Sequence, residues 1–275
     1  LDDEVSQDHD WGPRVCVWVP DEVHRSRGPF LQRIYDRLEP RFLGYGPVAR
    51  VDTRVPRDGV ISIPRFFLTY MGTDEYPQTN REWILIPEVA LSLCTNGEIF
   101  SDSLGEITRR RRQFLEYYPQ DVWLKKLASR CRAAGRDGQY NYPRAIRRGD
   151  RLAAAHLQGS FVRETAVIGY LLRKTYRPHD KLVFRGLPGL GRFGRELAGL
   201  LDQVVQAAKG SDTRDAIEEA AARCVTEMVS MGLVADGGSP TESNSLFQRA
   251  FQLERGISDR ELRDEVLSLL DAEPG

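Results

Sequence analysis

Apolar positions along the chain change their period once. Up to about residue 100 they come in short runs of strand length, broken by brief helical stretches. Arg14–Val19 is a β-branched and aromatic run and predicts a strand. Pro20 and Asp21 then open a helix over roughly Glu22–Leu38, in which Leu31, Ile34, Tyr35 and Leu38 recur at i, i+3, i+4 and i+7. Gly44, Gly46 and Pro47 break the chain. Two strands are expected next, near Ala49–Val55 and Val60–Ile63, joined by the turn Pro56-Arg57-Asp58-Gly59, and Pro64 starts a short helix through Met71. These elements predict a small mixed sheet with helices packed against it.

Thr73–Asp102 reads as a connector, with a short helix around Arg81–Ile86, another after Pro87, and a hairpin at Asn96-Gly97. From Ser103 the period is helical. The expected helices are Ser103–Tyr117, Asp121–Ala134, Arg144–Thr175, Arg192–Ala208, Thr213–Gly232 and Asp259–Asp271. Tyr117-Tyr118-Pro119, Arg136-Asp137-Gly138 and Arg177-Pro178 punctuate them. Asp236–Ser245 is rich in Gly and Ser and reads as a mobile loop. Beyond it, Leu246, Phe247, Phe251, Leu253, Leu262, Val266, Leu269 and Leu270 either dock on the bundle or form a dimer contact. The class is therefore α+β, with an α/β domain over 1–100 and an α-helical domain over 103–275.

Composition narrows the function. The chain has 275 residues, 41% hydrophobic and 29% charged, too apolar for a disordered chain and too polar for a membrane protein. No apolar run approaches the length of a membrane span. The net charge of −1 excludes a body that grips nucleic acid through bulk charge, but not a local basic patch. Cys16, Cys94, Cys131 and Cys224 form no CxxC pair, and no signal peptide is visible, so buried thiols in a reducing cytoplasm are expected.

The sharpest candidate for chemistry is Ser6-Gln7-Asp8-His9-Asp10-Trp11-Gly12, just ahead of the first strand. On extended chain, side chains two apart project from one face, so Asp8 and Asp10 present two carboxylates side by side. Such a pair repels itself unless a cation lies between, and hard oxygen donors suit Mg²⁺. Asp-x-Asp is common, and by itself it is as well read as an acidic loop.

The context is more specific. Leu1–Arg14, Pro64–Gly72, Phe100–Glu106, Tyr117–Leu124 and Tyr176–Lys181 follow one another in the order of a bacterial family of unknown function within the nucleotidyltransferase superfamily, which residues 1–205 resemble. The resemblance implies a polymerase-β-like core that binds a nucleoside triphosphate. Asp8 and Asp10 would be its Mg²⁺ ligands and Ser6 a nucleotide contact. The family's Gly-Ser loop is not found upstream of Asp8; because the chain starts at Leu1, the loop is expected to precede it. A third carboxylate completes such sites. Asp52 and Asp58 are the nearest, with Glu98 and Glu106 as alternatives, and Asp58 is taken as the catalytic member.

Three other features offer candidate contacts to a nucleotide or phosphate. Lys181 stands after the helix end at Arg177-Pro178 and can present a point charge to a β- or γ-phosphate, while Tyr176 can stack on a base. Each also reads as ordinary surface lysine and packed tyrosine. Gly189-Leu190-Gly191-Arg192-Phe193-Gly194 matches GxGxxG but lacks a preceding strand, so a glycine-rich turn before a helix is the better reading. Arg109–Arg112 points all round a helix and reads as a solvated, salt-bridged face.

The expected function is Mg²⁺-dependent transfer of a nucleoside monophosphate from an NTP to a hydroxyl acceptor. Near-neutral charge favours a small molecule as acceptor. An NMP-transferring toxin acting on RNA or protein, and a degenerate, non-catalytic nucleotide-binding or interaction module, are the alternatives.

Overall fold

The computed structural model describes residues 13–46, 58–207, 211–236 and 245–265. In chain order its elements are β1 (Cys16–Val19), α1 (Asp21–Tyr35), β2 (Gly59–Ser62), α2 (Ile63–Met71), α3 (Asn80–Leu85), α4 (Glu88–Thr95), α5 (Glu106–Leu115) and α6 (Gln120–Ala134). A π-helical turn, Gly135–Asn141, leads into α7 (Tyr142–Arg147), α8 (Arg151–Leu172) and α9 (Asp180–Gly186). A 3₁₀ turn, Leu187–Leu190, precedes α10 (Gly191–Gln206), α11 (Ser211–Ser230), α12 (Ser245–Arg255) and α13 (Arg260–Asp264). The protein is mostly helical, with one two-stranded sheet among the described residues. Among the described residues no helix is long and apolar enough to cross a membrane.

Two compact units interleave along the chain. One is formed by Leu1–Tyr76 and Gly97–Gln113, the other by Pro77–Asn96 and Phe114–Gly275. α3 and α4 thus belong with the larger helical unit.

In the first unit β1 and β2 run parallel, with Cys16 opposite Gly59 and Val19 opposite Ser62. Parallel neighbours need a crossover, and α1 lies within it. Polar side chains of α1 clip both strands. Val60 N–H donates to Gln32 Oε1 at 2.9 Å, and Val15 N–H donates to the Tyr35 hydroxyl at 3.4 Å. Gly59 has φ +84°, and a Cβ there would meet Gln32 Oε1 at 2.8 Å, so only glycine suits this strand start. At the other end of β2, the Ser62 hydroxyl donates to Asp21 Oδ1 at 3.0 Å and caps α2 by accepting from Arg65 N–H. Ile61, Ile63, Phe66, Phe67 and Met71 fill the core, and Trp18 meets Phe66 edge-on at 5.3 Å.

Arg109–Arg112 lies on α5, and two of its members serve this unit internally. Arg110 donates to the Asp74 carbonyl and covers the Phe67 ring, while Arg111 donates to the Gly97 carbonyl.

In the second unit α6 and α8 form the centre. Apolar residues at helical spacing bury one face of α10 (Phe193, Leu197, Leu201, Val204), α11 (Ile217, Ala221, Cys224, Met228) and α12 (Leu246, Ala250, Leu253). α12 docks on α6, where Arg132 lies over the rings of Phe247 and Phe251 and pairs with Glu254. That resolves the choice left open for Leu246 and Leu253 in favour of the bundle.

Three expectations change. The hairpin at Asn96-Gly97 does not form: α4 runs to Thr95, Asn96 is its C-cap and donates its N–H to the Ser92 carbonyl, and Gly97 turns the chain at φ +77°. The expected single helix Arg144–Thr175 breaks into α7 and α8 at Gly149-Asp150. Arg136-Asp137-Gly138 does not interrupt the helix but widens it into the π turn. Its glycines are steric requirements, since a Cβ on Gly138 would lie 2.2 Å from the Phe161 ring and one on Gly135 would lie 2.7 Å from Phe247 N. The strand expected at Ala49–Val55 lies outside the described residues, so the mixed sheet is represented only by its parallel pair.

The glycines give a direct test of this packing. Gly138→Ala is expected to cost about 1–3 kcal/mol by overpacking against Phe161. Gly159→Ala, in α8 with nothing within 4 Å of the added Cβ, is expected to stabilise by about 0.5–1 kcal/mol through helix propensity. Urea unfolding of the two variants would show the opposite signs.

Candidate functional site

Charged residues normally avoid the apolar face of a helix. α6 breaks that rule with Lys126 and Arg130, four residues apart and both buried beside Leu127 and Cys131. α8 breaks it with Glu164, buried between Phe161 and Ala166. α4 begins after Pro87, and its first residue, Glu88, is buried as well. These charges meet.

Six side chains close an alternating ring. Arg177 Nε donates to Glu88 Oε2 at 3.0 Å, and Arg130 Nη2 lies 3.6 Å from the same oxygen. Arg130 Nη1 donates to Glu164 Oε2 at 3.0 Å, and Arg163 Nη1 donates to Glu164 Oε1 at 2.8 Å. Arg163 Nε donates to Asp180 Oδ2 at 3.0 Å, and Arg177 Nη1 donates to Asp180 Oδ1 at 2.9 Å, which closes the circuit. Each carboxylate stands between two guanidinium groups. Lys126 adds a seventh charge, 3.8 Å from Glu88 Oε1. The ring has a dry side, where the side chains of Glu88, Arg130 and Arg177 are each 5% exposed, and a wetter side at Arg163 and Asp180.

Burial by itself would raise the Glu88 pKa. The charges of Arg130, Lys126 and Arg177, with the hydrogen bond from Arg177, outweigh it and hold the group at about 2. At neutral pH Glu88 is therefore a fixed charge and not a proton carrier. Burial also opposes the charge on Asp180, but the hydrogen bond from Arg163 and the charges of Arg163 and Arg177 keep its pKa low.

Aromatic rings pack against the dry side. Tyr117 stacks on Tyr176 with centroids 4.9 Å apart, Tyr118 meets both edge-on, and the Lys126 ammonium lies 5.2 Å over the Tyr118 ring. Trp83 closes the group against Phe114 and Tyr118. The Tyr176 hydroxyl donates to the Phe114 carbonyl at 2.7 Å. The Tyr117 and Tyr118 hydroxyls are buried without a hydrogen-bond partner. Burial, then the charge of Glu88, pushes both phenols well up, so they stay neutral. Tyr117 also has φ +78°, a left-handed conformation rare for a tyrosine.

The residues singled out from the sequence fall as follows. Ser6, Asp8 and Asp10 lie outside the described residues, as does Asp52. Asp58 immediately precedes β2; its carboxylate accepts from the Tyr35 hydroxyl at 3.5 Å. Burial, and next the nearby Asp58 charge, raises the pKa of the Cys16 thiol. Glu98 is exposed, and Glu106 pairs with Arg110 at 3.7 Å. Tyr176 is a packed member of the aromatic group, not an exposed stacking platform. Lys181 is exposed in the first turn of α9, where its N–H donates to His179 Nδ1. Gly189–Gly194 forms the turn into α10, and a Cβ on Gly194 would sit 2.1 Å from the Leu187 carbonyl oxygen. Among the described residues no group of three or more His, Cys, Asp or Glu side chains is placed to hold a metal ion.

Sequence reasoning passed over the ring itself. The usable signal was a charge inside an apolar period: Lys126 and Arg130 in Leu124–Cys131, and Glu164 in Phe161–Leu172.

The comparisons with known proteins bear on the same stretch. Residues 83–182 match a family model described as a domain of unknown function (DUF4037). No curated protein and no solved structure matches the chain. The matched segment holds every member of the ring, the three tyrosines and Lys181. It includes the resembling segments Phe100–Glu106, Tyr117–Leu124 and Tyr176–Lys181, while Leu1–Arg14 and Pro64–Gly72 lie outside it.

Glu88→Gln leaves three buried cations short of one counter-charge, and is expected to cost about 3–5 kcal/mol at neutral pH. The depressed pKa fixes the acid profile. Glu88 stabilises the fold fully above its ordinary value of 4.5, and that contribution is lost as pH falls through about 2. Urea unfolding as a function of pH should show this acid-dependent loss in the wild type, and less of it in the variant.

Proposed function

We propose that the protein is a Mg²⁺-dependent nucleotidyltransferase that moves a nucleoside monophosphate from an NTP to a hydroxyl acceptor. One observation carries the reading: β1 follows Asp8-His9-Asp10 in the chain, and its first residue, Cys16, pairs with Gly59, next to Asp58. The crossover between the parallel strands therefore returns Asp58 to the edge of the sheet at which β1 begins. A carboxylate held at the edge of a sheet where a strand begins suits phosphoryl chemistry.

The side chains of Asp8 and Asp10 offer oxygen donors only, which fit Mg²⁺ better than a nitrogen- or sulfur-preferring metal. The ion, when bound, supplies charge neutralisation on the triphosphate and acidifies a coordinated hydroxyl. Asp8 and Asp10 are the residues that would hold it. Asp58 is assigned the acceptor proton. The acceptor oxygen forms its bond to the α-phosphorus, the bond to the leaving oxygen breaks, and pyrophosphate departs. Tyr35 orients the Asp58 carboxylate through its hydroxyl.

A small hydroxylated molecule is the favoured acceptor, because the net charge of −1 lacks the broad basic field of a dedicated RNA enzyme.

Calorimetric titration of each NTP, with and without Mg²⁺, tests the reading. Metal-dependent binding is expected, and an Asp8→Asn/Asp10→Asn double variant should lose it. Asp58→Asn should keep binding but transfer about 10²–10⁴-fold more slowly, the usual contribution of a positioned base. Failure to bind any NTP would overturn the enzyme reading and leave a non-catalytic interaction module on this fold.

A further inference from the structure

The break between α7 and α8 is a rigid elbow that carries uncompensated positive charge. α7 ends in a Schellman motif: Asp150 N–H donates to the Ala145 carbonyl and Gly149 N–H to the Ile146 carbonyl, each at 3.0 Å, with Gly149 at φ +71°. Asp150 is at once the N-cap of α8, its Oδ1 accepting from Ala153 N–H at 3.0 Å. One helix stops and the next starts with no free linker residue, so their side chains are held in fixed relation.

Arg144, Arg147, Arg148 and Arg151 stand on this elbow. The last three are exposed, and none of the four has an ion-pair partner among the described residues. The arginines of the ring, and Arg132, Arg173, Arg192 and Arg223, are by contrast paired with carboxylates. Arg147 and Arg148 have a structural reason for their place, since cations favour a helix C-terminus. Arg151 has none. It is the first residue of α8, the wrong end for a cation, and the adjacent Asp150 carboxylate is turned to its capping bond.

An aromatic side chain adjoins the charges. The Arg144 guanidinium carbon lies 3.7 Å from the Tyr140 ring centroid, and Tyr140 is 43% exposed. The geometry points to a binding surface for single-stranded nucleic acid, made of Tyr140, Arg144, Arg147, Arg148 and Arg151. Arginine forks match phosphodiester oxygens, and an exposed ring with a guanidinium laid on it offers a base a stacking surface. Closely spaced arginines on a stiff support also gather phosphates without ordering themselves first. The surface stands apart from the nucleotide transfer proposed above, because it needs neither NTP nor metal. The basic cluster that stands out in the sequence, Arg109–Arg112, is less suited to this role, since Arg110 and Arg111 are committed to internal carbonyls.

A second polyanion must be distinguished. Leu152, beside Arg151, is 85% exposed, and a basic surface with an exposed leucine also meets anionic lipid. One leucine is a small anchor, whereas the Arg144–Tyr140 stack serves bases and not headgroups.

Fluorescence anisotropy of the whole chain with labelled single strands of about 12 nucleotides, RNA and DNA, at about 50 and 200 mM salt, tests the assignment. Binding of either strand is expected, and the comparison names the natural one. Arg147→Ala/Arg148→Ala/Arg151→Ala should flatten the log K against log salt slope by about 2, at roughly 0.7 per lost phosphate contact. Tyr140→Leu should weaken binding about tenfold with the slope kept. Arg192→Ala, an exposed but paired arginine, should change little. The proposal fails if neither strand binds at low salt, or if Arg192→Ala weakens binding as much as the triple variant. It fails equally if phosphatidylserine vesicles bind and Leu152→Ser, but not Tyr140→Leu, abolishes that binding. All the substituted side chains are open to solvent, so unchanged thermal unfolding will show that the variants fold.

Discussion

The closed circuit of Glu88, Arg130, Glu164, Arg163, Asp180 and Arg177 is the interaction on which the helical unit depends. Taking ions out of water costs several kcal/mol each, and a single buried pair often fails to recover it. A ring changes the arithmetic because every carboxylate is shared by two guanidinium groups and every guanidinium by two carboxylates. Every member faces opposite charge on two sides, and the geometry is stringent because both ends must close. The ring takes its members from α4, α6, α8 and the segment leading into α9. It thereby fixes the register of elements that apolar packing alone would let slide. Helix–helix contacts between Leu, Ala and Val are broad in their preferences; hydrogen-bonded forks are not.

The smaller unit solves a different problem. A two-stranded sheet has too little surface to hold itself together. Here α1 reaches over with Gln32 and Tyr35 to satisfy backbone groups of both strands, and Ser62 ties the far end of β2 to Asp21 and to the start of α2. The glycine at the start of β2 exists because the glutamine occupies the space of its side chain. Arg110 and Arg111 then bind loop carbonyls, and Arg110 covers Phe67, so two residues that read as part of a solvated basic face help to hold this unit together.

Much of the helical architecture was legible in the order of apolar residues. α1, α2, α3, α4, α6, α10 and α11 fall within a few residues of where the period and the prolines put them. The misreadings all involve glycines, whose local signal is the same whether the chain turns, stops a helix or continues through it. Gly138 signals a turn by local chemistry, yet it is needed to admit Phe161, and the helix continues through it. Gly149-Asp150 is a legible stop and start, but it was hidden inside a long stretch of helical period. The ring was invisible to any search for catalytic spacing, because its members come from four separate segments and no two adjacent in the ring, apart from Arg163 and Glu164, are adjacent in sequence. What did point to it was a thermodynamic oddity, charge placed on an apolar face. Asp58 was singled out only as a near candidate for the third carboxylate that the resemblance implies; its neighbourhood with Cys16 and Tyr35 could come only from the fold.

Alternation in a closed circuit also constrains how this protein diverges. A change at one ring position leaves two neighbours facing like charge or none, so drift through single conservative steps is blocked even where each step looks mild. Arg→Lys forfeits one of the two forks that the circuit needs, and Glu→Asp shortens the reach by one methylene. Relatives that have lost the ring are therefore expected to have lost it whole, with apolar side chains in place of several members at once. Retention of six coupled positions, or their joint replacement, is a signature that can be sought in any set of related chains without knowledge of what they do.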